Sequence, residues 1–66
     1  MSFTYQKGNR VAKIVEVTIG NFYTEYYLDG RLVNKVAYND IVLAESEADL
    51  YINEGTNQPT FLKENV

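Results

Sequence analysis

The chain contains no cysteine, no histidine and no tryptophan, and it has a single proline among its 66 residues. The absence of cysteine excludes a disulfide framework and a thiolate zinc site, which are the usual supports of very small domains. The absence of histidine removes the side chain that most often serves as general base or metal ligand near neutral pH. We expect one small domain, residues 1–66, that buries only about 60% of its unfolded surface.

Long hydrophobic runs are also missing. No segment approaches the roughly 20 apolar residues that a transmembrane helix needs, and the stretch Met1–Lys7 lacks the apolar core of a signal peptide. The apolar fraction of 45% and the charged fraction of 23% are typical of a folded domain rather than a disordered chain. The sequence therefore predicts a folded protein of the cytoplasm with no membrane partner.

Charge is unevenly distributed along the sequence. Residues 1–39 carry five basic and three acidic side chains, whereas residues 40–66 carry one basic and six acidic side chains, and the net charge is −3. Binding to a phosphate backbone needs clustered lysine and arginine, so this balance disfavours nucleic acid as a partner. The split indicates either an interaction surface or a solvated acidic helix.

Turn residues divide the first part of the chain into strands. Asp29-Gly30 lies between two strand-like runs and suits a type I′ turn, because both central residues adopt positive φ. Gly20-Asn21 lies between two further runs, where glycine at the first central position favours a type II′ turn. The sequence therefore predicts an α+β fold with a three-stranded antiparallel β-meander at about residues 10–19, 22–28 and 31–38.

An amphipathic helix packed on this sheet is predicted at about residues 40–54. The Asn-Asp pair at its start can provide the N-cap, and Gly55 can end it. A later start capped by Ser46 is the alternative, because an acidic residue three positions further on resembles a capping box. In the longer helix, apolar residues at helical spacing form one face: Ile41, Ala44, Ala48, Tyr51 and Ile52.

Both ends of the chain carry weaker patterns. Phe3 and Tyr5 alternate before a turn at residues 7–9, so a short additional N-terminal strand is an option. Phe61 and Leu62 could anchor the C-terminal segment to the domain.

Two-residue loops at both turns would fix the register and assign each side chain to one face of the sheet. Glu16 and Glu25 would then face one another, and two carboxylates cannot lie dry beneath a helix without strongly raised pKa values. The helix should therefore cover the opposite face and leave a tyrosine-rich face open, unless a chain terminus folds over it. Such patches often mark contact surfaces. The candidate partner-binding residues on this face are Ile14, Tyr23, Tyr27, Leu32, Val36 and Tyr38.

Groups that could carry catalysis are scarce. Glu16 and Glu25 form the one carboxylate pair that the predicted register brings together, and solvated acids on an open sheet explain it better than acid–base or metal chemistry. The sequence therefore predicts that the protein is not an enzyme and has no catalytic, cofactor-binding or metal site. The acidic surface of the helix offers a second candidate partner-binding patch, which comprises Glu45, Glu47 and Asp49.

Two resemblances bear on function. The stretch from Phe22 to Val33, with Ala44, Ala48 and Tyr51 in the later helix, resembles the three-strand-plus-helix layout of AP2-type DNA-binding domains, including arm-binding domains of phage integrases. Those domains present arginines and a tryptophan on the open sheet face, where this chain would carry glutamates and tyrosines. The resemblance therefore implies the fold outline and not DNA binding.

The chain also resembles small accessory proteins of tailed phages, which share the aromatic strand, the Asp-Gly turn and the acidic, alanine-containing helix. This resemblance implies a viral protein in the host cytoplasm that binds a host or phage protein, for example as an inhibitor. The sequence thus predicts a non-enzymatic protein-interaction module. A homodimer is one version of this prediction, because a second copy would enlarge a small core. The alternative is a nucleic-acid-binding domain that stacks bases on the tyrosines of the sheet.

Overall fold

The computed structural model describes residues 2–55 of the chain and shows an α+β fold. Its antiparallel sheet has four strands, not the three that the sequence predicts, and each strand pairs with its neighbour in the chain. The additional strand is the N-terminal one, which sequence analysis left as an option. The elements are β1 (Ser2–Lys7), β2 (Arg10–Thr18), β3 (Asn21–Leu28), β4 (Arg31–Tyr38) and the helix α1 (Ile41–Glu54).

The turns between the strands follow from the residues that tolerate positive φ. Asp29 and Gly30 have φ values of 54° and 80°, as a type I′ turn requires, so the predicted turn between β3 and β4 is confirmed. The turn between β2 and β3 lies one residue earlier than predicted, because Thr18 pairs with Asn21 and Gly20 occupies the second central position. This shift changes the pairing partners by two residues and leaves the facing of the side chains unchanged.

A β-bulge in β2 does change the facing. Glu16 pairs with Phe22 and Thr18 pairs with Asn21, so Val17 has no partner opposite it. Because side chains alternate along a strand, one additional residue moves every residue beyond it to the other face. The predicted face is therefore wrong for every residue of β2 from Arg10 to Glu16.

A second bulge has the same effect on β4. Tyr27 pairs with Leu32 and Tyr26 pairs with Asn34, which leaves Val33 without a partner in β3. The residues of β4 that follow Val33 therefore lie on the face opposite to the predicted one.

The helix begins and ends at the predicted residues. The Asp40 side chain accepts a hydrogen bond from the Val42 backbone N–H at 2.9 Å, and Gly55 adopts a left-handed conformation and donates to the Tyr51 carbonyl at 2.8 Å. The prediction of a helix at about 40–54 is confirmed, and the alternative start at Ser46 is wrong. No helix in residues 2–55 is long and apolar enough to cross a membrane. The predicted anchoring by Phe61 and Leu62 lies outside the described residues.

The core lies between α1 and one face of the sheet, which we call the covered face. Ala44 and Ala48 are fully buried, so small side chains allow the helix backbone to approach the strands closely. A hydrogen bond connects the C-terminal end of the helix to β1: Lys7 Nζ donates to Asn53 Oδ1 at 2.9 Å. The buried residues between the two layers are Ala12, Ile14, Thr24, Tyr26, Val36, Tyr38, Ala44, Glu47, Ala48 and Tyr51.

Candidate interaction surface

The other face of the sheet, which we call the open face, is not covered by any element within residues 2–55. The strand register places its side chains in three rows that cross the sheet from β1 to β4. Each row takes one residue from each strand, and we name the rows by their order along the strands. The first row is Ser2, Val15, Tyr23 and Ala37; the central row is Thr4, Lys13, Glu25 and Lys35; the third row is Gln6, Val11, Tyr27 and Leu32.

Tyr27 is fixed on the open face by its neighbour on the same strand. Its hydroxyl donates to Glu25 Oε1 at 2.9 Å, and this hydrogen bond is the largest cause of a raised pKa of Tyr27. The bond favours the protonated hydroxyl, since ionisation would place a phenolate beside a carboxylate. The ring is half-buried among its neighbours. Its orientation is therefore set before any partner binds.

Tyr23 is fixed by a contact with the next strand. The Lys35 ammonium lies 4.4 Å from the centroid of the Tyr23 ring, which is the geometry of a cation–π interaction. In the strand register, Lys35 lies opposite Glu25 of β3, and Glu25 lies opposite Lys13 of β2. The central row therefore alternates positive, negative and positive charge across β2, β3 and β4.

The predicted sheet-face residues divide between the two faces. Tyr23, Tyr27 and Leu32 lie on the open face as predicted, and Leu32 is exposed. Their role in binding a partner stays a prediction. The predicted placement of the remaining three on the open face is wrong, because they are buried beneath the helix: Ile14, Val36 and Tyr38.

The acidic residues of the helix do not form one surface. Asp49 is exposed and accepts a hydrogen bond from Asn53 Nδ2 at 2.9 Å. Glu45 is half-buried, and burial together with its nearby carboxylate raises the pKa of Tyr5. Glu47 points into the core with 6% of its surface exposed, so its predicted place on an acidic patch is wrong.

Glu47 belongs instead to a buried cluster of hydroxyl groups that sequence analysis missed. The hydroxyls of Tyr26 and Tyr38 lie 2.6 Å apart in a hydrogen bond beneath the helix. Burial raises the pKa of Tyr26 to about 12, and the negative charge of Glu47 adds to the rise. Burial also raises the pKa of Tyr38, and its hydrogen bond to Tyr26 and the negative charge of Glu47 add to the rise. In the sequence, Glu47 lies between Ala44 and Ala48 of the apolar helix face, and this position was the available sign that Glu47 would be buried.

The predicted pair of facing carboxylates does not form. Glu16 pairs with Phe22 on the covered side of the sheet, whereas Glu25 lies on the open face between two lysines. No group of three or more potential metal-ligating side chains occurs within residues 2–55.

The N-terminal segment does not cover the open face either. Tyr5 pairs with Ala12 and Phe3 pairs with Ile14, so both aromatic side chains lie on the covered side of the sheet. Tyr5 packs against the core, and Phe3 remains 37% exposed at the edge.

Comparison with protein families, with characterised proteins and with solved structures finds no match to this chain. The arrangement of its own residues is therefore the basis for proposing a function.

Proposed function

We propose that this chain is a non-enzymatic protein-interaction module that binds a protein partner through the open face. The observation that carries the proposal is the fixing of Tyr23 and Tyr27 on a sheet face that no described element covers. Tyrosine offers a large, amphipathic contact area with few rotatable bonds, and a side chain already held in place loses little entropy on binding. The resemblance to phage accessory proteins extends the proposal to a host or phage protein as the partner.

The size of the face supports a protein partner. The sheet has four strands about 4.8 Å apart, and its central strands have nine and eight residues, so the open face spans about 15 Å between its outer strands and about 27 Å along them. A face of this size suits the smaller, transient class of protein interface, which buries less than about 600 Å² on each partner. Val11 and Val15 lie beside the two tyrosines and add apolar surface at the centre of the face.

Nucleic acid is the second candidate for the same face. Tyr23 and Tyr27 lie on one strand with Lys13 and Lys35 to either side, as base stacking and phosphate contacts would use. Two contacts oppose it: the Lys35 ammonium already lies over the Tyr23 ring, and Glu25 places a negative charge between the tyrosines. Fluorescence anisotropy of short single-stranded oligonucleotides, titrated with the protein, distinguishes the two candidates. Tight, salt-dependent binding would overturn the protein proposal.

Affinity capture tests the protein proposal directly. The 66-residue chain is immobilised and exposed to extract from the organism that encodes it, and captured proteins are identified by mass spectrometry and then purified. The purified partner is expected to bind the wild type and to lose at least tenfold in affinity to Tyr23→Ser and Tyr27→Ser. The matched control is Val42→Ser, which alters a 65% exposed apolar residue on the helix. A partner that is lost with Val42→Ser and kept by both tyrosine variants would contradict the proposal.

A further inference from the structure

We infer that the partner of the open face is a second copy of this chain, packed face to face about a two-fold axis that runs parallel to the strands between β2 and β3. The inference rests on the proposed function and names the partner of the same surface. Its basis is the order of residues in the three rows, because a two-fold axis in this position reverses each row against itself.

The central row is complementary to its own reverse. Its order across the sheet is Thr4, Lys13, Glu25 and Lys35. Reversal places Lys13 opposite Glu25 of the second copy, and the symmetry repeats this contact once more. Thr4 then lies opposite Lys35 of the second copy. Every charge of the row meets an opposite charge or a neutral side chain.

The two outer rows show the same complementarity in apolar form. Reversal places Val15 opposite Tyr23 of the second copy, and it places Val11 opposite Tyr27 of the second copy. Aromatic and β-branched side chains are favourable neighbours across a sheet surface. Two stacked sheets lie about 10 Å apart and cross at about 30°, so residues at the centre of the face stay opposed best. Lys13 and Glu25 are those residues.

The alternative packings give poorer charge contacts or no two-fold dimer. An axis perpendicular to the strands would place Lys13, Glu25 and Lys35 each opposite its own equivalent, which is unfavourable for like charges. Stacking the open face on the helix of another copy would bring lysines near Glu45 and Asp49, but this contact is heterologous and yields rings or filaments rather than a two-fold dimer. The axis parallel to the strands alone combines complementary charge with a closed dimer.

Charge exchange between two positions tests this geometry. Mass is measured by sedimentation equilibrium of the 66-residue chain from low micromolar to millimolar concentration. The wild type is expected to dimerise, and Lys13→Glu and Glu25→Lys are each expected to raise the dimer dissociation constant about tenfold or more, because each creates two like-charge contacts. An equimolar mixture of the two variants restores both contacts, so dimers are expected to return. Arg31→Glu is the matched control, since Arg31 is exposed, lies off the open face and pairs with the uncharged Leu28, and a change below about fivefold is expected.

The mixture separates interface effects from folding effects. Each variant also disturbs a cross-strand pair within its own sheet, but mixing cannot repair that disturbance. Circular dichroism of each variant confirms that the fold is retained. Gain of assembly by Glu25→Lys, or masses above a dimer, would indicate face-on-helix stacking and overturn the inference. Unchanged dimers in both single variants would do the same.

A monomeric wild type at every concentration also overturns the inference. It does not overturn the proposed function if affinity capture identifies a different protein that Tyr23→Ser fails to bind. A monomer that becomes a dimer on Phe61→Ser would assign the face to the C-terminal segment of the chain itself and would contradict both proposals.

Discussion

Tyr26 and Tyr27 are neighbours on β3, yet they belong to two different surfaces of the sheet. Tyr26 has 1% of its surface exposed, and its hydroxyl bonds to another buried hydroxyl. Tyr27 points the other way and bonds to the carboxylate of Glu25 at the open face. The Tyr26 hydroxyl on the covered face thus bonds to another buried group, whereas the Tyr27 hydroxyl on the open face bonds to a charged side chain that water can reach. The same residue type stabilises the fold on one face and remains available for binding on the other.

Hydrophobic burial is expected to distinguish the two faces most strongly. Ile14→Ala removes a fully buried side chain beneath the helix and is expected to lower the free energy of unfolding by about 2–5 kcal/mol. Val15→Ala, on the next residue of the same strand, changes the half-buried open face and is expected to cost less than about 1 kcal/mol. Urea denaturation of both variants measures the difference. Equal losses would show that the open face is also covered in solution.

If Ile14→Ala fails to fold, Ile14→Val provides the smaller step. A loss of about 0.5–1.5 kcal/mol is expected for this variant.

Alkaline pH is expected to weaken the covered face more than the open face. Burial raises the pKa of Tyr26 to about 12, above the ordinary value of 10.0, and it raises the pKa of Tyr38 as well. Between about pH 10 and pH 12 the unfolded chain therefore binds fewer protons than the folded chain, and stability falls as pH rises. Each such tyrosine contributes a loss of about 1.4 kcal/mol per pH unit.

Denaturation at several pH values above about pH 9 measures this slope. Tyr38→Phe is the control, because it removes one of the two buried tyrosines whose pKa is raised by a large amount. A slope identical to that of the wild type would contradict the assignment.

Hydroxyl groups on the two faces provide a smaller contrast. The Tyr51 hydroxyl donates to the Tyr27 carbonyl at 2.6 Å from beneath the helix, so Tyr51→Phe leaves that carbonyl without this donor. A loss of about 1 kcal/mol in the free energy of unfolding is expected. Tyr27→Phe removes a bond to Glu25 that water can replace, and a change near zero is expected. Thermal unfolding of the two variants, compared with the wild type, tests the contrast. A larger loss with Tyr27→Phe would reverse our assignment of the faces.

The local features of the fold could be predicted from the sequence because their signals are local. The Asp-Gly turn, the capped helix and its alanine face each depend on residues within a few positions of one another. The faces of the sheet depend on register, which one additional residue reverses. Val17 and Val33 form the two bulges, and valine is an ordinary strand residue that gives no sign of an unpaired position.

The errors at the candidate site follow the two bulges closely. Tyr23 and Tyr27 lie on β3, which has no bulge of its own, and Leu32 lies between the Asp-Gly turn and the second bulge. The face of each of these three residues was therefore predicted correctly. Ile14 lies beyond the first bulge and Val36 beyond the second, and both were assigned to the wrong face. The open-face residues Val11, Val15, Lys13 and Lys35 were missed for the same reason.

Thr24 provides the last contrast, because it is a polar residue on the covered face. It lies between Ile14 and Val36, and its hydroxyl makes no hydrogen bond to any residue within 2–55. The hydroxyl lies near enough to Tyr26 to favour the ionised form of that tyrosine slightly, but not in hydrogen-bonding geometry. Thr24→Val replaces the hydroxyl with a methyl group of similar shape and is expected to raise the free energy of unfolding by about 1 kcal/mol.

The matched substitution on the open face is Thr4→Val. Thr4 is exposed, so its hydroxyl is solvated in both the folded and the unfolded chain, and a change within about 0.5 kcal/mol is expected. Urea denaturation of Thr24→Val and Thr4→Val measures both changes in the free energy of unfolding. Destabilisation by Thr24→Val would show that its hydroxyl has joined the Tyr26–Tyr38 hydrogen bond, and the covered face would then satisfy every hydroxyl of that cluster. Stabilisation would instead show that packing beneath the helix outweighs hydrogen bonding at this position.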